Sequence, residues 1–310
     1  MGGSTETIRR LEESVCRALV GKPGVVRLAV IGLVARGHLL IEDVPGVGKT
    51  TLAAGLARSI GASFQRIQFT SDMLPSDVLG VSVWEPGNGQ FVFKPGPLFT
   101  NIVLADEINR TTPKTQSALL EAMNEAQVSL DHSTYPLPRP FMVLATQNPR
   151  EYEGTFPLPE SQLDRFLLRI RIGYPEAGDE KAVLRGEAAS PALAVVEADE
   201  VLALQEAAER VRAEESVLDY LLSLVTATRR SPLLALGVSP RGSLALLRAA
   251  RARALADGRD YLLPDDIKAL AVPALAHRVI VKGSSAGSAA GGLDGEAAVT
   301  AILQDVPVPR

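Results

Sequence analysis

Apolar residues follow two different spacings along this chain. In residues 5–19 they recur every three or four positions, which predicts an amphipathic helix, and residues 25–35 predict a second helix. Short apolar-rich segments appear between later helical patterns, and we predict them to be strands. Residues 39–41 are a continuous apolar run, as expected of a strand that is buried on both faces. These predicted strands are residues 39–41, 64–69, 102–104, 141–145 and 167–172.

Helical patterns separate the predicted strands at residues 49–60, 74–80 and 113–127. Strands that alternate with helices imply an α/β fold, in which a five-stranded parallel sheet has helices on both faces and binding sites at the carboxyl ends of its strands. Two segments interrupt the alternation. Residues 81–94 predict a hairpin around Glu85-Pro86-Gly87-Asn88-Gly89, and residues 127–140 form a polar, proline-rich excursion.

The composition changes near residue 174. Beyond it the chain is rich in Ala, Leu, Glu and Arg, without a convincing strand, and four helices are predicted. We therefore divide the chain into an α/β domain at 1–174 and a smaller, all-helical lid domain at 175–310. Residues 283–292 contain only Gly, Ser and Ala, which predicts a flexible loop, and residues 293–308 predict a last short helix.

Length and charge narrow the class of protein. A chain of 310 residues favours two domains, and 46% hydrophobic residues can form a substantial core. The net charge of −4 excludes a broadly basic nucleic-acid binder, although a local basic pore stays possible. Cys16 is the only cysteine, and no signal pattern or long apolar run is present. We expect a soluble cytoplasmic protein without membrane insertion.

The stretch HLLIEDVPGVGKTT at residues 38–51 carries the strongest chemical signal. A strand, a glycine loop, Gly-Lys-Thr and a helix follow one another, as in a phosphate-binding P-loop. Lys49 would reach the β- and γ-phosphates of ATP or ADP, and the hydroxyl of Thr50 would bind Mg²⁺. The predicted nucleotide-binding residues are Pro45, Gly46, Val47, Gly48, Lys49, Thr50 and Thr51.

Two neighbouring features modify this prediction. The first glycine of the usual P-loop pattern is replaced by Asp43, so we expect that carboxylate to point away from the phosphates. The segment that contains Val20 and Gly21 lies between the two predicted N-terminal helices. From its order along the chain alone, we expect it to border the adenine.

A second group of polar residues follows the predicted strand at 102–104. Asp106 would hold Mg²⁺ and Glu107 would polarise the attacking water, as in a Walker B pattern. Two solvated acids at a strand end are the alternative. Asn148, after the next strand, could lie beside the same water, or could simply form a turn with Pro149.

Five segments together resemble the MoxR group of AAA+ ATPases. These are DEINR at 106–110, PKTQSALLEAMNE at 113–125, ATQNP at 145–149, PLPESQLDRF at 157–166 and SPRGSLALLRAARA at 239–252. The resemblance implies that Asn148 is the sensor-1 residue and that Arg165 is an arginine finger for a neighbouring subunit. It also implies that Arg241 is the sensor-2 residue, reaching from the lid to the γ-phosphate. A salt bridge of Arg165 with Asp164 or Glu160 is the alternative.

The resemblance further implies a ring, usually a hexamer, that acts as a chaperone on protein substrates and often on von Willebrand factor A domain partners. Both excursions would face the ring pore, where Trp84, Phe91 and Phe93 could grip a substrate or could pack on their own domain. Two other functions stay open. One is a nucleotide-gated scaffold with negligible turnover, and the other is a DNA-acting motor, which the acidic balance makes less favourable.

Overall fold

A computed structural model describes residues 2–87, 89–130, 133–148, 154–185, 191–283 and 294–308. Apart from Gly283, the predicted loop at 283–292 lies outside the described residues, as does Pro149. Strands β1 to β9 are, in chain order, Leu39–Glu42, Phe64–Gln68, Gly80–Glu85, Gln90–Pro95, Ile102–Asp106, Gln127–Leu130, Ser133–Pro136, Met142–Gln147 and Leu168–Ile170.

The predicted five-stranded parallel sheet is confirmed. Its strand order is β2-β5-β8-β1-β9, and every neighbouring pair is parallel. All five strands therefore end at one edge of the sheet, which we call the P-loop edge, and begin at the other, which we call the opposite edge. Since β1 has four residues, these two edges are about 13 Å apart at 3.3 Å per residue.

Alternate residues of the central strands belong to two different cores. Leu39 and Ile41 of β1 face one core, whereas Leu40 faces the other, and β5 and β8 alternate in the same way. Helices cover both faces, as predicted for a buried parallel sheet. The helices of this half, α1 to α6, are Gly2–Ala18, Pro23–Val34, Lys49–Ser59, Pro75–Leu79, Pro113–Glu125 and Glu160–Leu163.

The second half is mainly helical, as predicted. Its helices α7 to α12 are Ala177–Leu184, Ala198–Glu209, Glu215–Arg230, Pro240–Ala256, Pro264–Leu275 and Gly295–Asp305. The prediction of an all-helical lid missed one feature, a two-stranded antiparallel ribbon of β10 (Leu234–Leu236) and β11 (Ile280–Val281). These strands are very short, and each is stabilised by a partner that is distant in the sequence, so a local pattern could not identify them.

Both excursions from the sheet are hairpins. In the first, β3 pairs with β4 and places Trp84 opposite Phe91; both are exposed and contact each other edge to face. Phe93 instead packs on Phe99 and stacks on Tyr135 of the second hairpin, β6–β7, at 3.9 Å between ring centroids. Of the three aromatic residues, Phe93 therefore packs on its own domain.

In the described part of the chain, no helix combines the length and the apolar character that crossing a bilayer requires.

Candidate active site

The P-loop connects β1 to α3 at the P-loop edge of the sheet. Gly46 and Gly48 have φ values of +86° and +102°, which side-chain-bearing residues rarely adopt. A Cβ on Gly48 would also lie 2.7 Å from Cδ1 of Leu19, at the end of the first helical segment. Glycine is therefore required at position 48 both by the backbone conformation and by close packing.

Lys49 and Asp43 interact through the backbone of the loop. The Nζ of Lys49 donates a hydrogen bond to the carbonyl oxygen of Asp43 at 2.6 Å. The Asp43 carboxylate points elsewhere: its Oδ2 accepts from the backbone N–H groups of Ile172 and Gly173, at 2.7 and 2.6 Å. This matches the expectation for Asp43, whose carboxylate anchors the segment after β9.

Removing this anchor should affect stability more than nucleotide binding. In Asp43→Gly the backbone N–H groups of Val44, Ile172 and Gly173 lose their acceptor. The loss costs about 1–3 kcal/mol for each such group that stays buried without a partner. Asp43→Asn keeps one acceptor oxygen and should lose less. Urea unfolding of the three proteins measures the difference, and ADP titration should give similar affinities. A large gain in ADP affinity for Asp43→Gly would instead show that the carboxylate repels the phosphates.

Asp106 ends β5 with both carboxylate oxygens hydrogen-bonded. Thr146, fully buried on β8, donates to Oδ1 at 2.6 Å and accepts from the backbone N–H of Glu107 at 2.9 Å. Arg66 on the edge strand β2 donates to Oδ2 through Nη2 at 2.6 Å and Nε at 3.1 Å. The carboxylate is thus oriented from both neighbouring strands.

Glu107 follows in a left-handed conformation, with φ of +57°. Its Oε2 accepts from Nε2 of Gln68 at 2.7 Å and from Nη1 of Arg110 at 3.1 Å. Arg66, Gln68 and Thr146 were missed by the sequence analysis. A signal was present for the first two, because they are polar residues on either side of the buried Ile67 and so share one face of a strand.

These groups converge on a cavity of about 340 Å³ at the P-loop edge. Its lining includes Pro45, Gly46, Gly48, Lys49, Thr50, Thr51, Arg66, Asp106, Glu107 and Asn148. A Cβ on Gly46 would meet no atom within 4 Å, so the loop leaves open space where a phosphate would lie. The residues present therefore fit a nucleotide polyphosphate. Val47 was also predicted to bind the nucleotide, but its side chain is buried in the core and does not line this cavity.

The turn that contains Val20 and Gly21 lies beside this loop. Leu19 packs on Gly48, and a Cβ on Gly21 would overlap the Oδ2 of Asp179. Lys22 donates to the carbonyl of Tyr174 at 2.6 Å. The turn is therefore held between the P-loop and the segment after β9, a position that fits the predicted contact with a nucleotide.

We found no cluster of three or more His, Cys, Asp or Glu side chains suited to a metal ion in the described ranges. A Mg²⁺ site that uses Thr50 and Asp106 needs no such cluster, because Mg²⁺ retains several waters and also binds substrate phosphates.

Arg165 and Arg241 lie at the opposite edge of the sheet. Arg165 precedes β9, which starts beside the beginning of β1, as shown by the hydrogen bond from the Leu167 N–H to the His38 carbonyl. Arg241 lies in the first turn of α10, whose capping residue Ser239 donates to Asp164 at 3.0 Å. Both arginines are therefore separated from their own P-loop by the length of the sheet.

The salt bridge considered for Arg165 does not form. Asp164 is paired with the buried Arg278 at 2.7 Å, while Arg165 donates to the carbonyl of Leu120 at 2.7 Å and its Nε has no partner. Burial lowers the pKa of Arg165, and the neighbouring positive charge of Arg241 lowers it further. Since guanidinium groups stay protonated at neutral pH, these two adjacent cations favour an anion between them.

Known proteins resemble the chain over its whole length. The sequence profile of an ATPase family associated with various cellular activities (AAA) matches residues 38–168, and that of an AAA lid domain matches residues 226–301. An uncharacterised Bacillus subtilis protein, YeaC, is 50% identical over 96% of this chain and 93% of its own length. Chaperone MoxR1 of Mycobacterium tuberculosis is 39% identical over 100% of this chain and 84% of its own length.

A solved structure is also similar to this chain in both fold and sequence. The crystal structure of a candidate ATPase from Cytophaga hutchinsonii matches with a TM-score of 0.89 and 38% identity, covering 99% of this chain and 96% of the other. The motifs, the fold and a full-length relative that carries the MoxR name point to one family. The chain belongs to the MoxR family of AAA+ ATPases.

Proposed function

We propose that this chain is a Mg²⁺-dependent ATPase that assembles into a ring, usually a hexamer, and uses ATP hydrolysis to remodel a partner protein. One observation carries the proposal. The residues suited to bind a nucleotide lie at one edge of the sheet, whereas two cations suited to the same nucleotide lie together at the opposite edge. A head-to-tail contact between copies would bring these two half-sites together.

Each residue of the P-loop edge has a separate role in hydrolysis. Lys49 contacts the β- and γ-phosphates, and Thr50 and Asp106 hold the metal, which supplies charge that neutralises the phosphate oxygens. Glu107 orients the attacking water, and Asn148 hydrogen-bonds the same water without adding charge. In this structure Oε2 of Glu107 accepts hydrogen bonds from both Gln68 and Arg110.

Arg165 and Arg241 act in trans under this proposal. If Arg165 serves as the arginine finger of a neighbouring site, then Arg241 serves the same site, because the start of the helix that carries Arg241 is hydrogen-bonded to Asp164, the residue before Arg165. Gly242 lets the start of α10 pack closely at this edge, since a Cβ there would lie 2.6 Å from Cγ1 of Val238 and 3.0 Å from Cδ of Arg278. Because residue 242 has no side chain, α10 can begin directly over Arg278, and Arg278 in turn is hydrogen-bonded to Asp164.

The partner is proposed to be a protein, and a von Willebrand factor A domain protein is the partner class that family resemblance favours. The exposed Trp84 and Phe91 at 50% and 69% exposure offer a contact for it. A scaffold with negligible turnover is less favoured, because a switch that only binds nucleotide needs neither Glu107 nor Arg165. A DNA-acting motor is less favoured by the net charge of −4.

Lys49→Ala should bind ATP more weakly while remaining folded. Hydrogen bonds to a charged group contribute about 1.5–3 kcal/mol, so the dissociation constant should rise by roughly 10- to 150-fold. Differential scanning fluorimetry with Mg-ATP measures this as a smaller increase in Tm. Lys282→Ala, which removes an exposed lysine of the lid, is the matched control. An ATP-induced Tm shift of wild-type size in Lys49→Ala would contradict the P-loop assignment.

A further inference from the structure

Arg66 is a positively charged residue that lines the nucleotide cavity at the P-loop edge together with Lys49, and no sequence motif identifies it. Its guanidinium donates two hydrogen bonds to Oδ2 of Asp106, the carboxylate assigned to the metal. Since Thr146 occupies Oδ1, both oxygens of that carboxylate already have donors.

A metal ion needs the same carboxylate, either directly or through its bound water. Arg66 must therefore leave Oδ2 before a metal ion or its bound water can take that position. It can move, since it belongs to the edge strand of the sheet and its side chain is 50% exposed, whereas that of Asp106 is only 15% exposed. Displacement of Arg66 is therefore the way to free Oδ2.

The contacts continue from Arg66 to the catalytic carboxylate. Its Nη2 also donates to Oε1 of Gln68 at 3.0 Å, and Nε2 of the same amide donates to Glu107 at 2.7 Å. Gln68 thus takes a fixed orientation, with its oxygen toward Arg66 and its nitrogen toward Glu107. When Arg66 leaves, the amide loses the contact that fixes this orientation.

We propose that Arg66 is a positioning residue that substitutes for the metal at Asp106, and that its displacement by Mg²⁺ releases Gln68 and hence Glu107. The inference rests on the proposed function, because it assumes that Asp106 serves a metal. Metal binding and activation of the attacking water are then coupled through one arginine.

Direct measurement of metal binding tests the substitution. Protein preloaded with ADP is titrated with Mn²⁺, and the electron paramagnetic resonance signal of free Mn²⁺ gives the dissociation constant. Arg66→Gln removes the competitor, so Mn²⁺ should bind about fivefold more tightly, the upper range of what an ion pair of this exposure contributes. Arg66→Lys keeps the positive charge but presents a single ammonium group in place of the guanidinium. Its dissociation constant for Mn²⁺ should therefore lie between those of Arg66→Gln and wild type.

Arg110→Gln is the matched control, because Arg110 is also 50% exposed and contacts Glu107 but not Asp106. It reports the effect of removing a nearby positive charge. Equal changes in Arg66→Gln and Arg110→Gln, or weaker Mn²⁺ binding in Arg66→Gln, would overturn the substitution. Failure of the wild-type protein to bind ADP and Mn²⁺ would overturn the proposed function instead, so the two failures are distinguishable.

A double-mutant cycle tests the link to Glu107. Arg66→Gln and Gln68→Ala interrupt the same series of contacts, so the turnover of the double mutant at saturating Mg²⁺ should match that of one single mutant. If the fold-change in turnover of the double mutant is instead the product of the two single-mutant fold-changes, Arg66 and Gln68 act independently and the proposed coupling is wrong.

Discussion

Glu107→Gln should bind Mg-ATP with near wild-type affinity and hydrolyse it about 10²–10⁴-fold more slowly, the contribution typical of a positioned general base. Glutamine has the same shape as glutamate, but it lacks the negative charge that orients the attacking water. The unhydrolysed nucleotide should then persist at the subunit junction and favour the assembled oligomer. Phosphate release and light scattering after size-exclusion chromatography, both with ATP, measure these two effects.

The control for this variant is Glu206→Gln, which makes the same chemical change at an exposed helical position that pairs with Arg210. Its turnover should equal that of wild type. Normal turnover in Glu107→Gln would mean that another group activates the water, and Asp106 would then be the next residue to examine.

Arg165→Ala should abolish turnover, with a loss of roughly 10³–10⁵. An arginine finger is worth about 4–7 kcal/mol at 1.4 kcal/mol per tenfold, whereas an exposed salt bridge contributes at most about 1 kcal/mol. The hydrogen bond of Arg165 to the Leu120 carbonyl is also lost, so the Tm must be measured beside the turnover. A folded variant with normal turnover would exclude the arginine-finger role.

Mixing inactive variants tests whether the site is shared between subunits. When Arg165→Ala protein is mixed equally with Glu107→Gln protein, each junction takes Glu107 from one subunit and Arg165 from the next. Roughly a quarter of the junctions should be intact, provided that subunits exchange and sites act independently. With exchange confirmed, an inactive mixture means concerted hydrolysis or action of Arg165 within its own chain, which a tandem-linked dimer with both substitutions distinguishes.

The same approach locates the action of Arg241. If Arg165 and Arg241 both serve the neighbouring site, a mixture of Arg165→Ala and Arg241→Ala contains no intact junction and stays inactive. If Arg241 serves its own subunit, roughly a quarter of the junctions regain both arginines. Mixing Arg241→Ala with Glu107→Gln gives the opposite outcomes. Activity returns if Arg241 serves the neighbouring site, and the mixture stays inactive if Arg241 serves its own subunit.

Local patterns identified the parts of the site that are continuous in sequence. The P-loop is recognised because a strand, a loop and a helix follow one another within about 14 residues. The acidic pair Asp106–Glu107 is recognised because it ends an apolar strand downstream of that loop. The fold was predictable for a similar reason, since the central strands β1, β5 and β8 are short apolar segments that alternate with helical patterns. The short ribbon strand β10 carried no such signal.

The remaining contacts depend on residues that are distant in the sequence. Arg66 and Gln68 reach Asp106 and Glu107 only because β2 lies beside β5, with Gln68 opposite Asp106. The segment that carries Arg241 lies beside that of Arg165 only because Ser239 at the start of α10 contacts Asp164. Neither strand order nor the docking of the lid follows from periodicity, so the resemblance identified these arginines without showing which edge of the sheet they occupy.

One of the two cores has a consequence for how the molecule can move. It joins Val15 of α1 and Ile41 of β1 to Leu246 and Ile302 of the lid in one apolar cluster. A hinge between the sheet and the lid would expose this apolar surface to water, at about 25 cal/mol per Å². We therefore expect each subunit to turn as a single rigid body during the ATPase cycle, with the displacement concentrated at the junctions between subunits.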